Sequence, residues 1–181
     1  MTRHMTTTLR ARGFLLHAGA VPALVLVLLS GSSTLQAQAP AARFDPAAFF
    51  TGRTTSEGRL TQIFASDKAT RVSTFGTRQA DGSMVLDQTV KIGDQPERPR
   101  TWRLRETSPG RFTGTISDAA NDLSGTLSGN TLTLTYTMDN NLNVHQVITA
   151  HPGGQSAQNV MRIRRFGITV ARLTETIRRA D

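Results

Sequence analysis

The sequence predicts an all-β protein: a single antiparallel up-and-down β-barrel of about 8–10 strands, preceded by a short helical turn. Two observations carry this. From Gly58 to Arg179, apolar residues recur at every second position in short segments rich in Thr, Val, Ile and Leu. Between those segments stand turn signals built from Gly, Pro, Asn and Asp. A third observation selects closure, because many short strands in a chain of 181 residues would otherwise leave open sheet edges.

Taken in order, residues 1–37 read as a secretory signal. Arg3, Arg10 and Arg12 precede an apolar run from Ala18 to Leu29, interrupted by Pro22 and shorter than the about 20 residues that span a bilayer. Cleavage is expected after Ala37, with Ala39 disfavoured because Pro40 follows it; a retained N-terminal anchor is the alternative. Residues 38–45 are Ala/Pro-rich and read as a linker. Asp45 as N-cap and Pro46 at the first helical position predict one helical turn burying Phe49 and Phe50, which opens a domain over residues 46–181.

Strands are expected over residues 58–66, 69–79, 83–93, 100–107, 111–118, 122–128, 130–138, 142–150, 157–166 and 168–179. Turns fall at Ala80–Ser83, Gly93–Pro96, Ser108–Gly110, Ser128–Asn130, Asp139–Asn141 and Pro152–Gly154. The clearest strand is Asn130 to Met138, where Leu132, Leu134, Tyr136 and Met138 share one face and Thr131, Thr133, Thr135 and Thr137 the other. From Gln158 to Arg179 the apolar spacing of three and four also suits an amphipathic helix; Gly167 followed by Ile-Thr-Val favours two strands bent at the glycine.

Charge and composition exclude several classes of function. The chain carries 21 basic and 13 acidic residues; without Arg3, Arg10 and Arg12, 18 against 13 leave about +5. The basic residues cluster only at Arg162, Arg164, Arg165 and at Arg178, Arg179, with no interleaved aromatics to stack on bases, so no nucleic-acid partner is implied. Outside the cytosol, anionic envelope lipid or polysaccharide would be the available polyanions, and a solvated basic surface is the plainer reading. The chain has no cysteine, which removes thiolate metal sites and cysteine nucleophiles.

The interior pattern contains one anomaly. Gln88 falls between Leu86 and Val90, Gln62 between Leu60 and Phe64, Gln146 between Val144 and Ile148, and Glu106 follows Trp102 and Leu104, all in the apolar phase. An unsatisfied buried amide costs about 1–3 kcal/mol, so these groups imply either solvent at the barrel mouths or a polar ligand within. The expected ligand site comprises Gln62, Leu86, Gln88, Val90, Trp102, Glu106, Phe112, Leu134, Tyr136 and Gln146. Glu106, near a strand end, fits the mouth best; Gln88, in mid-strand, fits it worst.

Catalytic patterns are sparse. His145 and His151 share a spacing that permits a joint metal site but lack a third ligand, and Asp118, Asn121 and Asp122 are the ordinary residues of a turn. No Gly-x-Ser-x-Gly elbow and no Gly-rich phosphate loop occur in the expected mature chain. Neither an enzymatic activity, a cofactor nor a metal is expected.

The order of Phe49-Phe50-Thr-Gly52, Leu86-Asp-Gln88, Arg100-Thr-Trp102, Phe112-Thr-Gly114-Thr-Ile-Ser-Asp118, Gly129-Asn130 and Asn159-Val-Met161-Arg-Ile-Arg-Arg165-Phe166-Gly167 resembles a bacterial envelope family, the domain of unknown function 3833. The resemblance runs from about residue 48 to 179 and implies an envelope β-domain, usually a lipoprotein, without an assigned activity. Three departures qualify it. Ser32 stands in Leu29-Ser30-Gly31-Ser32 where a lipobox ends in cysteine, so a released protein is implied. Val147-Ile-Thr-Ala-His151 replaces an acidic and aromatic stretch of the family, and Gln88 stands where the family usually has glutamate.

Together these readings predict a secreted or periplasmic barrel, similar in outline to lipocalin-type barrels, that binds a small amphipathic, lipid-like ligand. The alternative is a filled barrel acting in the envelope through its basic surface.

Overall fold

The computed structural model describes residues 44–180, so the expected signal and nearly all of the expected linker lie outside the described residues. The helical turn α1 (Pro46–Phe50) is followed by ten strands. These are β1 (Gly52–Gln62), β2 (Ala65–Arg78), β3 (Met84–Ile92), β4 (Arg98–Ser108) and β5 (Arg111–Ile116). The second half continues with β6 (Leu123–Ser128), β7 (Thr131–Thr137), β8 (Asn143–Ala150), β9 (Ser156–Arg165) and β10 (Ile168–Arg179). Every strand pairs antiparallel with its chain neighbours, and β1 pairs with β10, closing the barrel. Closure satisfies the outer backbone groups of the first and last strands, which an open meander would expose.

The expected strands and their order hold, with corrections at the start. β1 opens at Gly52 rather than Gly58 and ends before Ile63 and Phe64, which form a turn. Gly52 to Glu57 contains no apolar residue, and its inward positions Thr54 and Ser56 are small and polar. Hydropathy therefore shows nothing there; the segment is a strand because β2 and β10 supply ladders on both sides. The ambiguous C-terminal segment is two strands turning at Phe166 and Gly167.

The barrel is plugged at one end. Asp45 Oδ1 accepts a hydrogen bond from the Ala48 N–H at 3.1 Å, and Pro46 needs no donor partner at the first turn, as the capping pattern predicts. Phe49 and Phe50 are both buried, with Phe44 edge-on to Phe49 at a centroid distance of 5.5 Å. Full burial of each phenyl ring contributes about 1.5–3 kcal/mol. Gly76 makes the close approach possible: a Cβ there would lie 1.8 Å from the Phe50 carbonyl oxygen. Arg179 Nη1 donates to the Ala48 and Phe49 carbonyls at 2.6 and 3.1 Å, binding the plug to the last strand.

Between this plug and the far rim the inward residues change character. Near α1, Met84, Leu86, Leu104, Leu132 and Ile177 are buried. Toward the other end Leu60, Val90, Ile92, Ile163 and Leu173 also line the interior, yet are only half-buried. The barrel is thus closed at the α1 end and accessible at the other.

Candidate functional site

The interior holds a cavity of about 160 Å³ lined by residues from most of the strands. That is far above the about 10–15 Å³ needed for one water molecule. Its walls are mainly aliphatic, but a band of polar side chains crosses them.

One part of the band forms around Gly58. In register, Gly58 on β1 faces Thr70 on β2 and Glu175 on β10. A Cβ on Gly58 would lie 2.5 Å from Glu175 Cγ, so the missing side chain leaves the gap through which strands two apart meet. Thr70 Oγ1 donates to Glu175 Oε1 at 3.0 Å, and Asn159 Nδ2 on β9 donates to Oε2 at 3.1 Å. Burial pushes the Glu175 carboxyl above the usual glutamate value, against the pull of the hydrogen bonds from Asn159 and Thr70.

The second part accounts for Gln88. Its Nε2 donates to Thr74 Oγ1, directly opposite on β2, at 3.1 Å. Its Oε1 accepts from the Trp102 indole N–H on β4 at 2.8 Å. The mid-strand amide is therefore the partner that allows the sole tryptophan to be buried. Trp102 in turn meets Tyr136 edge-on, with ring centroids 5.5 Å apart. Burial raises the Tyr136 phenol above its ordinary value, keeping it neutral.

Several buried acceptors have no protein partner. Gln146 Oε1 and Asn159 Oδ1 belong to residues that line the cavity, and the hydroxyl of Tyr136, whose ring packs edge-on against Trp102, is also without a partner. Buried polar atoms are normally paired, so unpaired ones in a cavity wall are groups ready to receive a hydrogen bond from a bound molecule. Toward the open end Arg100 Nε donates to Asp118 Oδ2 at 3.0 Å, and a second nitrogen, Nη2, bonds the same oxygen. This pair sets a cationic group in the cavity wall without leaving it unneutralised.

Of the residues expected to form a site, Leu86, Gln88, Val90, Trp102, Leu134 and Gln146 line this cavity. Tyr136 packs edge-on against Trp102 and is not among the residues lining the cavity. Phe112 and Glu106 belong to a different hollow beside α1. Glu106 is not a cavity group: its carboxylate accepts from the Gly110 N–H at 2.6 Å and so fastens the β4–β5 turn. Gln62 keeps the inward phase but lies at the rim, half-buried and apart from the cavity wall. Phe64, phased inward with it, is instead a fully exposed turn residue, because β1 ends at Gln62 and the chain reverses.

Sequence reasoning missed Thr70, Asn159 and Glu175. A signal existed, since Ala157, Asn159, Met161 and Ile163, like Leu173, Glu175 and Ile177, alternate along their strands. It was obscured because Val160, Val170 and Ile177 also fit helical spacing. The other polar clusters have local roles. Asn121 Oδ1 accepts from the Thr137 N–H at 2.8 Å, His151 Nδ1 bonds Ser156 Oγ at 2.9 Å, and His145 lies in the outward phase of β8.

Comparison with known proteins agrees with this architecture. The family described as "Protein of unknown function (DUF3833)" matches residues 24–179, and the chain belongs to it. No curated protein matches. Among solved structures, an S-type phycobiliprotein lyase from Guillardia theta is similar with a TM-score of 0.58 and 10% identity, over 75% of this chain and 90% of that one. Rv2717c from M. tuberculosis is similar with a TM-score of 0.58 and 12% identity, over 76% of this chain and 99% of that one. At such identities the likeness is one of fold: a closed lipocalin-like barrel.

Proposed function

We propose that this DUF3833 barrel is a non-enzymatic binding or carrier module of the cell envelope, exported to the periplasm or beyond, for a small amphipathic, lipid-like molecule. The supporting observation is the unpaired acceptors, Gln146 Oε1 and Asn159 Oδ1, on residues that line an otherwise aliphatic cavity. Groups of that kind suit a ligand whose polar end carries hydroxyl or amide donors and whose apolar part lies against Leu86, Val90, Leu134 and Met161. The accessible end of the barrel offers the entry route, and the α1 plug forces entry and exit through one mouth.

Binding suits the site better than catalysis. Both oxygens of Glu175 already accept hydrogen bonds from the protein, and Thr70 is held by that carboxyl. The carboxyl thus ties β2, β9 and β10 together, and its hydrogen-bond partners, Thr70 and Asn159, are not titratable, while Arg100 on the same cavity wall is held by Asp118. The likeness to the phycobiliprotein lyase concerns the fold, and the reading rests on the interior.

Native mass spectrometry of the purified protein, combined with displacement of a fluorescent hydroxylated fatty-acid probe, tests this. The expected result is a co-purifying small molecule, or saturable probe binding that Gln146→Leu weakens. Absence of bound species together with absence of saturable binding would remove the reading.

A further inference from the structure

The rim opposite α1 is built against the usual rules for a solvent-facing turn. Phe64 stands at the β1–β2 turn and Phe166 at the β9–β10 turn, with relative exposures of 103% and 89%. Both adopt left-handed backbone, φ 59° and 50°, a region where a bulky side chain is an outlier and Gly or Asn is the ordinary occupant. Ile63 and Ile168 beside them are also exposed. The two turns are neighbours on the rim, since the Ile63 N–H donates to the Val170 carbonyl at 3.0 Å. Four large apolar side chains therefore project from one part of the barrel mouth.

Positive charge flanks the β9–β10 turn on both strands, while beside the β1–β2 turn Asp67 is paired with Arg59. From Ser156 to Thr174 the sequence contains Arg162, Arg164, Arg165 and Arg172 and no acidic residue. All four are exposed, and none forms an ion pair among the described residues. Arg162 and Arg172 are register partners on the outer wall, where directly opposed like charges destabilise a sheet. Arg165 lies over the Phe166 ring, 5.5 Å from its centroid. Strained aromatic tips, exposed aliphatics and an uncompensated arginine pair are each unfavourable in water. The exposed aromatic and aliphatic side chains and the arginine pair gain partners against a surface that is negatively charged outside and apolar just beneath.

We propose that this rim docks on an anionic lipid bilayer, with Phe64 and Phe166 entering the interfacial layer and Arg162, Arg164, Arg165 and Arg172 meeting lipid phosphates. A second copy of the chain is a poorer occupant, because it would bring the two arginine clusters together. The docking surface stands independently of the cavity; only if the binding reading also holds does it place the mouth where a membrane molecule could enter.

The chain contains no cysteine, so single cysteines can be labelled with an environment-sensitive nitrobenzoxadiazole dye. Phe64→Cys and Phe166→Cys probe the rim, and Ser108→Cys, exposed at the α1 end, serves as control. All three are full-length chains, so any contribution of residues 1–43 is common to them. With vesicles of equal phosphatidylcholine and phosphatidylglycerol, the two rim labels should shift to the blue and be quenched by spin-labelled lipid, while the control should not. Phosphatidylcholine vesicles should give little shift, and the triple variant Arg162→Gln, Arg164→Gln, Arg172→Gln should weaken the response by on the order of a hundredfold. Absence of a rim shift on anionic vesicles, an equal shift on neutral ones, or an equal shift at the control would overturn the proposal. So would a shift that develops with protein concentration in the absence of vesicles, which would mark association between copies.

Discussion

Thr70 and Glu175 are hydrogen-bonded at 3.0 Å across the strand that separates them, through the gap left by Gly58. The contact joins residues 105 positions apart and locks β2, β1 and β10 at the point where the barrel closes. It makes one glycine a determinant of both closure and cavity shape.

Replacing that glycine should be costly. In Gly58→Ala the added Cβ would meet the Thr174 carbonyl oxygen at 2.1 Å and Glu175 at 2.5 Å, so backbone must shift as well as side chain. Overpacking of this kind costs about 1–3 kcal/mol or more. Urea denaturation should show a lower midpoint, with reduced hydrogen-exchange protection concentrated in β1 and β10.

Glu175 should make stability depend on pH. Its folded-state pKa is raised by burial above the ordinary value of 4.5, so the folded protein binds that proton more tightly than the unfolded chain. The associated stability is fully present below the unfolded value and is lost as pH rises through the folded one. Urea titrations in small pH steps from 4 upward should therefore show less loss of stability for Glu175→Gln than for the wild type. Parallel curves would contradict this assignment.

Gln88→Leu should lower stability by about 1–3 kcal/mol, because it strands the Trp102 indole N–H and removes the Thr74 partner. Gln88→Glu should be milder, since a carboxylate accepts from both the indole and the hydroxyl. Emission from the sole tryptophan reports the difference, with the leucine variant shifted and the glutamate variant closer to wild type. If Gln88→Leu melts higher than wild type, the amide is a tolerated defect rather than a support for Trp102.

Gln146→Leu should separate folding from binding. Removing an unpaired buried acceptor relieves a desolvation penalty, so the melting temperature should rise or hold. Affinity for an amphipathic probe should fall at least fivefold if the carbonyl receives a donor from the ligand. A variant that is more stable and binds equally well would assign the cavity's polar recognition elsewhere, with Asn159 the next residue to change.

Much of this protein was legible before any contact was known. The Leu/Thr alternation of β7 states both that the segment is a strand and which face is buried, because successive side chains on a pleated strand point to opposite sides. Asp45 and Pro46 announce α1 through backbone donors that need capping or are absent. The inward phase of Gln88 and Gln146 could be counted directly, although the indole that occupies Gln88 could not. The start of β1 was invisible because Thr54 and Ser56 carry no hydrophobic signal, and Phe64 was phased inward because periodicity does not reveal where a chain reverses.

The residues by themselves determined most of the strands, the turns marked by Gly, Pro, Asn and Asp, and the inward phase within those strands, since these depend on neighbours within a few positions along the chain. Only the tertiary structure decided that β1 meets β10, that Gly58 opens a gap for Thr70 and Glu175, and that Phe64 and Phe166 share a rim. Those outcomes depend on register and closure between distant strands, and a one-residue change of register would place a different set of side chains inside.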